Sequence, residues 1–186
     1  MFKNKFQEAI YALITIFITV NVFVLYTVYV LEGKTLKEVT GAHSVIEAIN
    51  MMGGIYMFGH YLPIWAVILI EIGVAFALDM LIGGPLAMKI AFTVCNPKDV
   101  HPLFMEAVII CCTAAIMCPM MSCLAAAFYY PYYEGFHVLT LLAEMFKTLC
   151  RNFPVAFLGQ LFFIQPLTRT IFFKLLFRRP KQSQTN

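Results

Sequence analysis

The sequence predicts an all-α membrane protein. It indicates four transmembrane helices that form two repeated hairpins with parallel, same-orientation pseudo-twofold symmetry, plus amphipathic helices at the outer face. Of the 186 residues, 61% are apolar and only 12% are charged, and the mean hydropathy is +0.81. Soluble domains average about 45–50% apolar and about 25% charged residues. This composition excludes an ordinary soluble enzyme, a disordered regulator and a nucleic-acid-binding domain.

Four stretches are long and apolar enough to cross a bilayer, which takes roughly 20 residues. They are Ala9–Leu31, Leu62–Phe92, Ala107–Tyr130 and Phe153–Phe173. The first stretch is too long for a signal peptide, and no small-residue cleavage site follows it, so we expect it to be retained.

The distribution of Lys and Arg predicts the orientation, because cytoplasmic loops carry an excess of these residues. One side of the predicted bundle holds nine of them and the other holds four. We therefore expect a multi-pass protein of the plasma (inner) membrane with both termini in the cytoplasm. Residues 176–186 form a basic, polar cytoplasmic tail in this interpretation.

The two outer connectors are partly apolar with helical spacing, which is typical of amphipathic helices at a membrane surface. In the first, the apolar series runs from Leu36 to Met52, and Thr35 with Glu38 has the pattern of a capping box. In the second, the apolar positions are Val138, Leu141, Leu142, Met145 and Leu149. We expect the chain to turn into the next span at Gly53-Gly54 and at a corner over residues 152–154.

The chain repeats itself. Residues 74–76 and 155–157 both read Val-Ala-Phe, and the same spacing, which we call the Pro-Leu offset, takes Pro85 to Pro166. The beginnings also match at a second spacing, the Phe-Glu offset, which takes Phe6 to Phe104 and Glu8 to Glu106. Each half then contains two spans, so both copies have the same orientation and the symmetry axis runs along the membrane normal. The predicted units are residues 1–95 and 96–175.

Three short pieces, at residues 83–89, 152–157 and 165–169, resemble a bacterial integral-membrane family catalogued as domain of unknown function 2798. The resemblance implies two tandem copies of a two-span hairpin, one in each half. It implies no chemistry, because the family carries no assigned activity, and so it transfers no functional residues. The halves differ at polar positions: Asp79 corresponds to Gln160, and Glu71 corresponds to Asn152.

The polar side chains within the spans are the candidate substrate- or ion-binding residues. Ionisable groups inside a membrane are expensive and usually functional, which singles out Glu71 and Asp79. Asn21 in the first span and Gln160 in the fourth complete the set. The alternative is that these groups hold helices together or lie at the interface.

A sulfur-rich run in the third span is a weaker hypothesis for a soft-metal site. Cys118, Met121 and Cys123 carry the ligand types that suit Cu(I). Cys and Met are also ordinary apolar fillers, and no His or carboxylate stands beside the run. No cofactor is predicted.

The leading functional prediction is a small transporter or permease-like protein for a small solute or ion, with Asp79 and Glu71 as a polar gate. The alternative is a non-catalytic accessory or interaction protein, such as a subunit of an envelope complex. No arrangement typical of an enzyme is present. The expected partners are the lipid bilayer and a second copy of the chain in a homodimer.

Overall fold

In the computed structural model, which describes residues 5–96 and 100–172, the chain is mainly helical and contains one short hairpin. The predicted all-α class is confirmed. Three stretches are long and apolar enough to span a membrane: Ala9–Leu31, Ile64–Val94 and Phe104–Phe128. The expected fourth span, Phe153–Phe173, is helical over its described part but is not among the three. The predicted tail at 176–186 lies outside the described residues.

Eight α-helices follow one another along the described chain. They are α1 (Lys5–Leu25), α2 (Gly33–Thr40), α3 (Val45–Met51), α4 (Ile64–Leu78), α5 (Gly84–Val94), α6 (Pro102–Phe128), α7 (Val138–Gly159) and α8 (Gln165–Ile171). Three π-helical segments extend or join them: π1 (Tyr26–Leu31), π2 (Asp79–Gly83) and π3 (Gln160–Ile164). A short 3-10 turn covers Tyr132–Glu134. Strands β1 (Ile55–Met57) and β2 (His60–Leu62) form the hairpin.

The long helices expose large apolar side chains along their length. Phe17 is 56% exposed in α1, Leu69 is 61% exposed in α4, and Phe163 is 74% exposed in π3. In water such surfaces would aggregate. Lipid tails are as apolar as these side chains and can cover them. The exposure therefore fits the membrane class that the composition predicts.

The first outer connector differs from the single amphipathic helix that we expected. It contains α2 and α3, separated after Gly41, whose φ of 69° ends α2 in the left-handed conformation. The Thr35–Glu38 capping box is wrong, because α2 begins at Gly33 and places Thr35 within its first turn. The true cap is Ser44, whose hydroxyl accepts from the Glu47 N–H at 3.2 Å. Ser44 and Glu47 have the same residue pattern, so this signal was present in the sequence.

The β-hairpin was not predicted. The predicted break at Gly53-Gly54 is confirmed, and β1 follows it and pairs antiparallel with β2. Phe58 and Gly59 turn the chain with φ of 52° and 83°, as in the primed turns that match the twist of paired strands. The Phe58 N–H donates to the Phe128 carbonyl at 2.9 Å. The hairpin is thereby anchored to the end of α6.

The second outer connector continues as one helix, without the corner expected at residues 152–154. Helix α7 runs unbroken from Val138 to Gly159, with Pro154 inside it. Proline removes one backbone donor, but membrane helices tolerate it where neighbouring groups satisfy the freed carbonyl. Of the predicted apolar positions, Leu141, Met145 and Leu149 are half-buried, and Val138 and Leu142 are exposed.

Two of the π segments precede a proline. The Gly84 N–H donates to the Asp79 carbonyl, and the Gln165 N–H donates to the Gln160 carbonyl, each five residues back. Pro85 and Pro166 come next in the sequence. A proline ring clashes with the carbonyl four residues before it in an α-helix, and a widened turn at that point relieves the clash. The Pro-Leu offset relates the two segments to each other.

Helix contacts and buried positions recur at the Pro-Leu and Phe-Glu offsets. Helix α1 packs on α4 and α8, and α6 packs on α7 and α5. Four of the five buried positions of the α4–π2–α5 rod recur at the Pro-Leu offset in the α7–π3–α8 rod, the exception being Val67, whose counterpart Thr148 is half-buried. The four are Ala75, Gly83, Ala87 and Ala91, then Ala156, Ile164, Thr168 and Phe172. Likewise Ile16, Val24 and Val28 of α1 and π1 recur at the Phe-Glu offset as buried Ala114, Ser122 and Ala126.

Candidate functional site

Asp79 lies at the midpoint of the longest apolar stretch, Ile64–Val94. It is the first residue of π2 and is half-buried. A Cβ added to Gly83 would lie 3.2 Å from Asp79 Oδ1 and would overlap the Met117 thioether. The carboxylate is therefore on the side of its helix that faces α6, beside Met117.

Gln160 is the first residue of π3 and contacts α1. Its Nε2 donates to Thr19 Oγ1 at 2.8 Å, and the Thr19 hydroxyl donates to the Thr15 carbonyl at 2.7 Å. Gln160 Oε1 is buried and has no hydrogen-bond partner among the described residues. This acceptor carries a free lone pair inside an apolar helix bundle.

The two arrangements correspond to each other. The Pro-Leu offset takes Asp79 to Gln160, and the Phe-Glu offset takes Thr19 to Met117. Buried positions also recur at these two offsets. Thr19 and Met117 each lie one residue from the middle of their own apolar stretches. Polar groups near the middle of apolar helices are typical of binding sites in transporters built from repeats. π segments are also common at functional sites.

Glu71 is at a different depth and does not join Asp79 in one gate. It comes eight residues earlier, about 12 Å along a helix that rises about 1.5 Å per residue. The Tyr129 hydroxyl donates a hydrogen bond to its carboxylate. Tyr129 follows the last residue of α6, so this contact ties α4 to α6 near the hairpin end of the bundle.

Asn21 is not placed with the other candidates. Its Nδ2 donates to the Phe17 carbonyl of its own helix at 2.8 Å, at an exposed position. The amide is thus satisfied locally, as short polar side chains often are in helices. The structure brings Gln160 to Thr19 and Asp79 to Met117, and it leaves Asn21 and Glu71 apart from both.

Two further polar contacts lie towards the opposite end of the bundle from the hairpin. Tyr11 Oη donates to Gln165 Oε1 at 2.6 Å, and Arg169 forms an ion pair with Glu106. Sequence reasoning missed Tyr11 and Thr19 as site residues. Their shared four-residue spacing with Thr15 is the signal that could have identified one polar face on α1.

The sulfur-rich run lies on α6. All six cysteines, Cys118 and Cys123 among them, are free thiols. In the described part of the chain, no group of three or more His, Cys, Asp or Glu side chains could hold a metal ion.

Comparisons with known proteins, by a scan against family models, a search of curated proteins and a search of solved structures, found no match.

Removing the Tyr129 hydroxyl is expected to lower the free energy of unfolding by about 0.6–1.7 kcal/mol, the range for hydrogen bonds between membrane helices. Reversible unfolding of Tyr129→Phe in mixed micelles measures this loss. Tyr29→Phe, at an exposed position, is the matched control and should change little. If Tyr129→Phe costs no more than the control, the Glu71–Tyr129 contact does not stabilise the bundle.

Proposed function

We propose that this protein is a small transporter of the plasma membrane that moves a proton or a small cation, with Asp79 as the binding carboxylate. The observation that carries the proposal is the position of Asp79, at the middle of a membrane stretch and at the start of a π segment. A charge at the centre of a helix costs about 2.5–3.5 kcal/mol on insertion scales. A residue with such a cost is usually retained because it binds a ligand or transfers a proton.

The proposed architecture is four spans in two tandem hairpins, related by a pseudo-twofold axis along the membrane normal. The recurrence of buried positions at the Pro-Leu and Phe-Glu offsets supports it. The pairing of α1 with α8 and of α6 with α5 also supports it, because a twofold axis exchanges these two contacts. The proposed relation to the family of unknown function rests on the sequence pieces alone.

The proposed transport route passes two polar levels. The outer level is the contact of Glu71 with Tyr129, beneath a hairpin whose Met57 is fully buried. The middle level contains Asp79 with Met117, and Gln160 with Thr19. Two levels separated by about 12 Å allow one to close while the other holds the ion, as alternating access requires. In this proposal Glu71 belongs to an outer gate and Asp79 to the binding site.

Flux measured with the purified chain tests this function. The protein is reconstituted into vesicles that hold a pH-sensitive dye, and a valinomycin-imposed potassium potential drives protons. The expected result is proton entry faster than in protein-free vesicles or, if the cargo is a small cation, sodium entry faster than in protein-free vesicles. Entry equal to that of protein-free vesicles, with sodium or without, would contradict the proposal.

A homodimer is part of the proposal. Gly73 and Ala77 lie four residues apart on the exposed surface of α4, and Gly73 has no neighbouring atom within 4 Å of an added Cβ. Small residues at this spacing allow close approach of membrane helices. The expected mass in mild detergent is that of two chains, and a purely monomeric sample would remove this part.

A second candidate function, an accessory subunit of an envelope complex, is supported by the surface of α7. Leu139 is 82% exposed and Phe146 is 66% exposed, with Val138 and Leu142 on the same apolar face. A partner or the lipid surface would cover this face. Leu139→Ser combined with Phe146→Ser separates the functions, since an accessory role predicts loss of the cellular phenotype while vesicle flux stays unchanged.

A further inference from the structure

A row of polar side chains follows the interface between α1 and the π3–α8 segment, from the middle of the bundle to the Arg169 end. It begins with Gln160 and Thr19, whose hydrogen bond is 2.8 Å long. It continues through Thr15 and ends at Tyr11, whose hydroxyl donates to Gln165 at 2.6 Å. We name these five residues the polar row.

Two buried acceptors along this interface lack partners. Gln160 Oε1 and Thr168 Oγ1 have no hydrogen-bond partner within the described chain, and Thr168 is 0% exposed. Other helical threonines satisfy their hydroxyls on the carbonyl four residues earlier, as Thr15 and Thr170 do here. A buried polar group without a partner costs about 1–3 kcal/mol. The closed interface is therefore less stable than a fully satisfied one.

The equivalent interface in the other half is apolar at most of these positions. At the Phe-Glu offset from α1, Tyr11 corresponds to Ile109 and Thr19 to Met117. At the Pro-Leu offset from α8, Gln165 corresponds to Gly84 and Thr168 to Ala87. The matching interface keeps Thr113 at the position of Thr15 and Asp79 at the position of Gln160. Helix packing in this fold does not require polar residues at the four positions that differ, because the matching interface packs without polar side chains there. The polar row needs an explanation beyond packing.

Tyr11 closes the row at the Arg169 end. Besides its hydrogen bond to Gln165, its ring meets Phe172 edge to face with centroids 5.4 Å apart. Phe172 is 1% exposed. These two contacts close the Arg169 end of the interface. Between this end and the middle of the bundle lie the unpartnered Thr168 Oγ1 and Gln160 Oε1, which water would bind if the helices separated.

We propose that the interface between α1 and α8 is the entrance through which water reaches the middle of the bundle from the Arg169 end. When Tyr11 releases Gln165 and Phe172, water hydrates Thr168 and Gln160, and it carries hydronium or a small hydrated cation to the depth of Asp79. The identity of this cargo rests on the proposed function. The entry of water does not depend on it.

Thiol labelling in lipid nanodiscs, which expose both faces, tests the entrance. In a cysteine-free background, Thr168→Cys is compared with Ala87→Cys, its counterpart at the same depth on the apolar interface. A membrane-impermeant thiol reagent should modify Thr168→Cys about tenfold faster, since local opening sets the rate. Adding Tyr11→Phe, which removes the bond to Gln165, should raise that rate further. Equal rates for the two cysteines overturn the proposal.

A second measurement uses the unmodified chain and so remains decisive if the variants fail to fold. Solid-state NMR transfer of magnetisation from water should reach Thr168 and the Gln160 side chain but not Ala87. Transfer that is equal at Thr168 and Ala87 overturns the entrance. Neither measurement depends on flux. A hydrated interface in a protein that transports nothing would therefore contradict the proposed function and still support the proposed entrance.

Discussion

Asp79→Asn is expected to reduce proton or cation entry into vesicles at least about tenfold, because the proposed site loses the carboxylate charge that makes its ligand binding favourable. Asn keeps nearly the same volume and one oxygen, so the packing against Gly83 and Met117 is preserved. It can neither carry a negative charge nor exchange a proton. The flux assay with the pH-sensitive dye measures the loss.

The matched control for this variant is Glu38→Gln. Glu38 makes an exposed ion pair with Lys34 at 3.7 Å, outside the membrane stretches, and such pairs contribute little. Its flux should equal that of the wild type. Both variants should elute and unfold like the wild type in detergent. Full flux in a folded Asp79→Asn protein would contradict the role of the carboxylate.

The second large effect is expected from Gly54→Ala, at the start of the hairpin. Gly54 has φ of 133°, and an added Cβ would overlap the backbone carbonyl of Leu62. Backbone atoms cannot move aside as a flexible side chain can. The conformational strain at Gly54 and the steric overlap with Leu62 therefore both lower the free energy of unfolding. We expect a loss of about 3 kcal/mol or more in the free energy of unfolding. The hairpin that buries Met57 against Val67 and Phe128 would then be displaced.

Gly59→Ala is the matched control for Gly54→Ala. Gly59 also has a positive φ, of 83°, but no atom lies within 4 Å of an added Cβ. It should show only the conformational cost, about 1–2 kcal/mol. Unfolding of both variants in mixed micelles separates strain from overlap. Equal losses for the two variants would show that contact with Leu62 does not fix the hairpin.

The membrane stretches were predictable because bilayer thickness and hydropathy alone define them. The first was predicted at Ala9–Leu31 and is found there, and the next two differ by two or three residues at each end. The hairpin was not predictable in the same way, because such short strands carry little periodicity. Its anchor joins Phe58 to the Phe128 carbonyl, two positions far apart in the sequence.

The polar residues of the candidate site were visible in the sequence, but their neighbours were not. Asp79 and Gln160 stand out because polar groups within apolar stretches are rare. Thr19 and Tyr11 do not stand out, since threonine and tyrosine are common in membrane helices. Only helix packing reveals that Thr19 meets Gln160 and that Glu71 meets Tyr129 instead of Asp79.

Infrared difference spectroscopy of the reconstituted protein tests most directly whether Asp79 binds the transported ion. Spectra are recorded before and after loading with protons, and separately with sodium. We expect a carboxyl band that changes on loading in the wild type and in Glu71→Gln, and that is absent in Asp79→Asn. A loading difference that persists unchanged in Asp79→Asn would contradict the assignment of Asp79 as the binding carboxylate.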